Sequence, residues 1–208
     1  MKTIVYVDGF NLYYGALKGT PYKWLNVMAL CNFLLPKNQI VGIKYFTALV
    51  TARPNDPHQP NRQQIYLRAL RTIPGLKIIY GRFLEHVIMM PLAYPEPEGA
   101  RYARVIKTEE KGSDVNIASH IINDGHKGRY DAAILISNDS DLAEPVKIVR
   151  NELKYPVGIL NPIPDKPSHQ LRKYATFVKP IRKGILGASQ FPSTLRDSTG
   201  IFYKPPLR

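Results

Sequence analysis

Apolar and polar positions along this chain alternate between the period of a strand and that of a helix, so strands and helices are predicted to follow one another. Thr3 to Val7 is a short apolar run with β-branched residues, which predicts a buried strand. Gly9 permits a turn, and Phe10 to Leu17 then has helical character up to Gly19-Thr20-Pro21. Asn26 to Leu34 reads as a second helix, with Asn26 as its cap and Pro36 beyond its end. Val41 to Ala52 has a strand pattern, and Arg53-Pro54-Asn55-Asp56-Pro57 has the composition of a loop. Arg62 to Thr72 is helical, with Ile65, Leu67, Ala69 and Leu70 at core positions, and Pro74-Gly75 stops it. Leu76 to Phe83 predicts a strand, residues 85 to 101 a hairpin or loop excursion beside the core, and Ala103 to Thr108 a returning strand. Ser113 to Asp124 is a helix with Ile117, Ile121 and Ile122 facing inward. Asp131 to Ser137 contains the unbroken apolar run Ala132-Ala133-Ile134-Leu135-Ile136, as expected of a central parallel strand. Leu142 to Leu153 is a helix, and Val157 to Leu160 is the next strand.

Strands that alternate with helices imply an α/β fold with a mostly parallel central sheet and helices on both faces. The 208 residues suffice for one such domain with a full core. There is no internal repeat. Residues 1–161 are expected to form the domain, and residues 162–208 a basic C-terminal extension packed on it or wrapping it. Gln170 to Arg182 still allows a helix and a strand. From Asp165 to the end, nine Lys or Arg face only Asp165 and Asp197. That composition fits an arm touching nucleic acid and a solvated basic tail equally well.

Charge narrows the partners. The chain has 29 Lys and Arg against 16 Asp and Glu, a net charge of +13. Nucleic acid is the first candidate partner and an anionic membrane surface the second. A membrane role lacks a basic amphipathic helix, and no apolar run approaches the ~20 residues that span a bilayer. The single Cys31 excludes an internal disulfide framework and a cysteine-rich zinc site, and its apolar surroundings predict a buried structural thiol. The N-terminal apolar stretch is interrupted by Asp8 and does not read as a signal peptide, so a cytoplasmic location is expected.

Acids are scarce, and their placement is therefore informative. Asp8 follows the first predicted strand, Asp114 opens a helix, and Asp139 with Asp141 follows the strand around Ile134. Open parallel sheets bind ligands beyond the carboxyl ends of their strands. Carboxylates gathered there repel one another unless a cation neutralises them, and hard oxygen ligands suit Mg²⁺ or Mn²⁺. Each acid also has a structural use. Ser113 fits an N-cap with Asp114 complementing the helix dipole, Asp141 and Glu144 fit a capping pattern, and Asp8 before Gly9 fits a turn. Their joint placement, with Asn11 nearby, favours a metal site.

Three segments carry a family resemblance: Val7-Asp8-Gly9-Phe10-Asn11, Lys111-Gly112-Ser113-Asp114-Val115 and Ser137-Asn138-Asp139-Ser140-Asp141-Leu142. In order and rough spacing they resemble the NYN-domain family of PIN-like ribonucleases, over about residues 3 to 161. The resemblance implies a PIN-like sheet and a Mg²⁺- or Mn²⁺-dependent ribonuclease site. Asp8, Asp114 and Asp139 would be its metal ligands, Asp8 the shared one, with Asp141 as a fourth acid and Asn11 orienting substrate or water. Asn138 departs from the pattern, since glycine is common there among relatives.

The resulting expectation is a metal-dependent endoribonuclease of single-stranded RNA, in RNA processing, decay or a toxin-like role. DNA remains an alternative substrate and a homodimer an expected assembly. Lys111, Arg53 and Arg62 are candidate phosphate contacts. Tyr13, Tyr14, Tyr22 and Trp24 fit base stacking, and fit core or rim packing as well. The five histidines show no paired ligand spacing. Two other functions compete. One is a catalytically weak RNA-binding module of the same fold. The other is a haloacid-dehalogenase-type phosphatase, whose chemistry needs a second Asp where this chain has Phe10.

Overall fold

Six parallel strands form the centre of the structure, a computed structural model that describes residues 1–95 and 97–206. They are β1 (Lys2–Asp8), β2 (Gln39–Thr47), β3 (Leu76–Tyr80), β6 (Ala132–Ile136), β7 (Val157–Asn161) and β8 (Phe177–Pro180), in the spatial order β3-β2-β1-β6-β7-β8. Chain order runs outward in both directions from the β1–β6 pair, so the sheet reverses there. Two other pairs stand outside it. β4 (Arg82–Pro91) and β5 (Tyr102–Lys111) form an antiparallel hairpin, and β9 (Thr194–Asp197) and β10 (Gly200–Tyr203) a second one.

The strands alternate side chains between two cores, which is why both faces need helices. Val5, Val7, Ile134, Ile136 and Leu160 face one core, while Ile4, Tyr6, Ala133, Leu135 and Ile159 face the other. The first core is closed by α1 (Gly9–Leu12) with its π-helical continuation Tyr13–Leu17, α2 (Val27–Leu34), α3 (Gln59–Arg71) and α7 (Lys183–Ala188). The second is closed by α4 (Ser113–His126), α5 (Ala143–Asn151) and α6 (His169–Tyr174). α2 begins as the sequence predicts: the Asn26 side chain accepts a hydrogen bond from the Ala29 N–H at 3.1 Å. Cys31 is wholly buried there, and burial pushes its thiol up to about 12, so it is inert packing.

Several expectations need revision. The strand predicted over Leu76 to Phe83 is interrupted at Gly81, and the part beyond it belongs to β4. The strand predicted over Ala103 to Thr108 is real but pairs with β4 instead of joining the central sheet. Its hairpin exposes Val87, Met89 and Ile106, and Glu96 in the connection lies outside the described residues. β8 lies beyond residue 161, the expected limit of the domain, and yet is the sixth strand of the central sheet. Residues after β8 pack on the first core. The Trp24 indole N–H donates to the Pro192 carbonyl at 2.7 Å, and Arg68 forks onto the Asp197 carboxylate with both bonds at 2.7 Å. Arg68 is thereby committed to a structural contact. Among the described residues no helix is long and apolar enough to cross a membrane.

Candidate active site

Asp8 is the last residue of β1 and caps α1, accepting a hydrogen bond on Oδ1 from the Asn11 N–H at 2.9 Å. The chain turns so tightly here that a Cβ on Gly9 would stand 2.6 Å from the Phe46 carbonyl oxygen, which explains the glycine. The other oxygen of Asp8 accepts from the Ser137 hydroxyl at 3.0 Å. Ser137 directly follows β6 and in turn accepts from the Asp139 N–H at 3.0 Å. Asp139 then caps the short 3-10 turn Ser140–Leu142 by accepting from the Asp141 N–H at 3.0 Å. Asn11 closes the loop from the other side, its Oδ1 accepting from the Asn138 N–H at 2.9 Å. These bonds join the ends of two neighbouring strands at the reversal of strand order, where open α/β sheets place their ligands.

Asp114 arrives from a different element, the first turn of α4. That helix starts at Gly112, whose φ of +100° is a conformation few other residues adopt. The Glu110 carboxylate accepts from the Ser113 N–H at 3.2 Å and from the Ser113 hydroxyl at 2.9 Å. Ser113 is therefore a capped residue, and the cap expected of it is supplied by Glu110 from the preceding strand.

Asp8, Asp114 and Asp139 each present an oxygen within 4.8 Å of the others. Their electrostatics are unfavourable as they stand. Burial foremost, then the charges of Asp114 and Asp139, push the Asp8 carboxyl up to about 6, against the pull of its Asn11 and Ser137 hydrogen bonds. Asp114 is raised as well, by burial first and then by Asp139, Glu110 and Asp141. This concentration of negative charge within a protein of net charge +13 is a donor set suited to a hard divalent cation. Asp141 is exposed and stands outside the three-acid set among the described residues, adding its charge to the field at Asp114.

The NYN domain family model matches residues 2–181. The chain belongs to the NYN domain family. It is similar to a protein named 6-hydroxy-3-succinoylpyridine 3-monooxygenase HspA, from Pseudomonas putida (strain DSM 28022 / S16), with 30% identity over 225 residues, 94% of this chain and 72% of that protein. Among solved structures it is similar to a protein of unknown function from Vibrio parahaemolyticus RIMD 2210633. The TM-score is 0.55 at 19% identity, with 88% of this chain and 93% of that one covered. That second likeness speaks for the fold.

Within this NYN domain the predicted phosphate contacts are dispersed. Lys111 is exposed and pairs with Glu109 at 3.1 Å. Arg62, on α3, pairs with Asp56 in the segment before that helix. Arg53 lines a groove of about 270 Å³ together with Phe10, Phe83 and Glu110, between α1 and the β4–β5 hairpin. Sequence reasoning missed the positioning roles of Ser137 and Glu110; the signal was their place in or next to the acidic motifs, Ser137 within one and Glu110 one residue before another. The departure at Asn138 also has a use. Its side chain donates to the Lys166 carbonyl at 2.8 Å and accepts from the Ser168 N–H at 2.7 Å, fastening the segment after β7 beside the site. Glycine could make neither bond.

Proposed function

We propose that this NYN-domain protein is a divalent-cation-dependent endoribonuclease acting on single-stranded RNA. The observation that carries the reading is the convergence of Asp8, Asp114 and Asp139 at the reversal point of the sheet. A cation held by these three carboxylates, Mg²⁺ or Mn²⁺ by its ligand preference, would neutralise charge developing on a phosphodiester and make water a competent nucleophile near neutral pH. The chain's own part is to aim and charge those carboxylates. Asn11 and Ser137 fix both oxygens of Asp8 through hydrogen bonds. Asn11 is a positioning residue here, since its side-chain oxygen is committed to the loop after β6. The excess positive charge of the chain favours a polyanionic substrate.

The test is cleavage of matched single-stranded RNA and DNA with Mg²⁺, Mn²⁺ or EDTA, beside Asp114→Asn and Asp139→Asn. RNA cleavage is expected to stop in EDTA and to fall by roughly 10²-fold or more in each variant, the scale seen when one charge-stabilising group is removed. Cleavage that survives EDTA or both substitutions defeats the reading. RNA retention without cleavage assigns the RNA-binding module instead.

Ser137→Ala gives a subtler result. The Asp8 carboxylate loses a hydrogen-bond donor and the Asp139 N–H its acceptor, so Asp8 holds its proton to higher pH. Divalent-cation affinity is expected to drop by about tenfold to a hundredfold, with about 1–2 kcal/mol of stability lost. Calorimetric titration with Mn²⁺ and urea denaturation read the two effects. Unchanged cation affinity would remove Ser137 from the site.

The resemblance along nearly the whole chain to a protein named a monooxygenase of a succinoylpyridine favours a second reading, in which this chain oxidises a small aromatic ring. Oxygen-dependent conversion of that pyridine by the purified protein, with a reduced nicotinamide supplied, would establish it. No product with a range of reductants would dismiss it.

A further inference from the structure

On the face of the sheet covered by α1 and α3 lies a cavity of about 430 Å³ that none of the three site carboxylates lines. A well-packed domain fills such space with side chains, because open volume forfeits dispersion contacts. This cavity has the size of a small-molecule site. Six aromatic residues form much of its wall: Phe10, Tyr13, Tyr14, Trp24, Tyr45 and Tyr66. Two are held in place by hydrogen bonds to the backbone. The Tyr66 hydroxyl donates to the Leu25 carbonyl at 3.0 Å, and the Trp24 indole N–H is tied to Pro192. The wall is thus formed before any ligand arrives.

The charges on this wall are one-sided. Among the described residues, Lys18, Lys23, Arg62 and Lys204 line it, against the single carboxylate of Asp56. Lys18 lies 4.8 Å from the centroid of the Tyr14 ring, and Tyr14 is 55% exposed, so this pair is accessible to solvent. Aromatic walls select a flat ring by stacking and edge contacts. A surplus of cations selects a negative group attached to that ring.

We propose that this cavity binds a planar aromatic ring carrying an anionic group. The proposal is independent of the nuclease reading. Two sources supply that chemistry, a nucleotide unit of an RNA strand and a free aromatic acid. Phe10, Tyr14, Val50 and Gln59 line both this cavity and the groove that contains Arg53 and Glu110, which gives a strand a continuous path.

The chain contains a single tryptophan, and it lines the cavity, so Trp24 emission reports occupancy directly. The experiment titrates the full chain with uridine 5′-monophosphate and with 4-hydroxybenzoate, by calorimetry and by Trp24 emission. Benzyl alcohol and succinate serve as the uncharged ring and the ringless anion. At least one aromatic anion is expected to bind with a Kd below about 1 mM. Both Tyr14→Ala and Lys18→Glu should weaken it by about tenfold or more, as loss of a ring or charge contact predicts, and the two control compounds should bind far more weakly. Circular dichroism confirms that the variants fold; both residues are exposed, so neither change removes core. Competition of bound uridine 5′-monophosphate by an RNA oligonucleotide assigns the strand as the source. Binding of 4-hydroxybenzoate alone assigns a free acid. The proposal fails if neither aromatic anion binds below that limit, if the controls bind as well, or if both variants bind like the parent. RNA cleavage is read separately, so failure here leaves the nuclease assay to stand on its own.

Discussion

Asp8→Asn is expected to abolish RNA cleavage and, at the same time, to raise the stability of the metal-free protein at neutral pH. Folded Asp8 keeps its proton up to about pH 6, whereas the ordinary value of the group is 3.8. The folded state therefore binds this proton more tightly than the unfolded one. Its ionisation destabilises the fold fully above about pH 6, progressively less as pH falls through that value, and not at all below the ordinary value near 3.8. A shift of that size corresponds to about 3 kcal/mol. Asparagine carries no charge and can keep the Asn11 N–H bond. Its amide meets Ser137 less well, because the Ser137 oxygen already accepts from Asp139. A net gain of about 1–3 kcal/mol is expected, or roughly 2–10 °C in Tm for a chain of this size. Urea denaturation in EDTA at about pH 7.5 and at about pH 4 would show the gain at the higher pH and little at the lower. Mn²⁺ should then stabilise the parent protein by mass action and leave the variant nearly unmoved. A variant less stable than its parent at pH 7.5 in EDTA would make Asp8 a structural residue, and retained cleavage would detach it from the chemistry.

The same contrast between local and distant causes decides how much of the fold is legible in the sequence. β1, β6 and β7 are buried on both faces, so their apolar residues run without interruption and mark them as central strands. β8 was readable only as a generic strand. Phe177-Val178-Lys179-Pro180 is short, half-buried and ends in proline, as an edge strand does. Its lysine is held inside the fold by the Leu34 carbonyl, at 2.7 Å, across 145 residues. No local pattern announces such a contact. β5 shows the complementary failure. Period-two alternation reports which faces a strand has and says nothing about its neighbour, so the pairing with β4 was beyond reach.

In the candidate site, the carboxylates were legible because each lies next to a predicted strand end or helix start. Their convergence required only the general rule for open parallel sheets. Only the family resemblance set Asp139 apart from Asp141 as a ligand; the residues alone do not, because which of the two acids turns toward Asp8 depends on the 3-10 turn that Asp139 itself caps. Ser137 and Glu110 were hidden for a related reason: a hydroxyl or carboxylate that positions another group is recognised by geometry within one turn, not by residue type. The cavity beside α1 was the least legible feature. Tyr13, Tyr14 and Trp24 come from one stretch, but Tyr45 comes from β2, Tyr66 from α3 and Lys204 from beyond β10.

Asp124→Ala is expected to cost about 3–5 kcal/mol, the range found when one member of a buried ion pair is removed. Asp124 is a wholly buried acid on α4. Its carboxylate accepts from the Tyr6 hydroxyl at 2.7 Å, from the Lys44 ammonium and from the Arg129 guanidinium at 3.0 Å. Those partners sit on β1, on β2 and after α4, so one side chain locks the helix to the two strands on that side of the site. Burial by itself would raise the Asp124 carboxyl, but Lys44, Tyr6 and Arg129 outweigh it and hold the group below its ordinary range. His120 shares the cluster. Its Nδ1 lies 3.0 Å from the Lys44 ammonium, and burial, then the lysine charge, keeps the imidazole neutral to lower pH than usual. Alanine at 124 would leave the Lys44 charge and the Tyr6 hydroxyl without their acceptor. Asparagine should cost less, since it can accept from one partner while removing the charge. The sign of the pH dependence is opposite to that of Asp8. A lowered folded value means that the stabilisation is complete above the ordinary carboxylate value of 3.8 and is lost as pH falls through the depressed one. Asp124→Asn should therefore flatten the acid limb of the stability curve below about pH 4, whereas Asp8→Asn flattens the curve between about pH 4 and 6. Replacing the cluster as a unit, with Tyr6→Phe, Lys44→Met and Asp124→Leu together, should recover most of the loss, because the groups then left without a partner, on half-buried His120 and exposed Arg129, are not fully buried. A single Asp124→Ala change costing under about 1 kcal/mol would show that the cluster contributes specificity of packing and not stability.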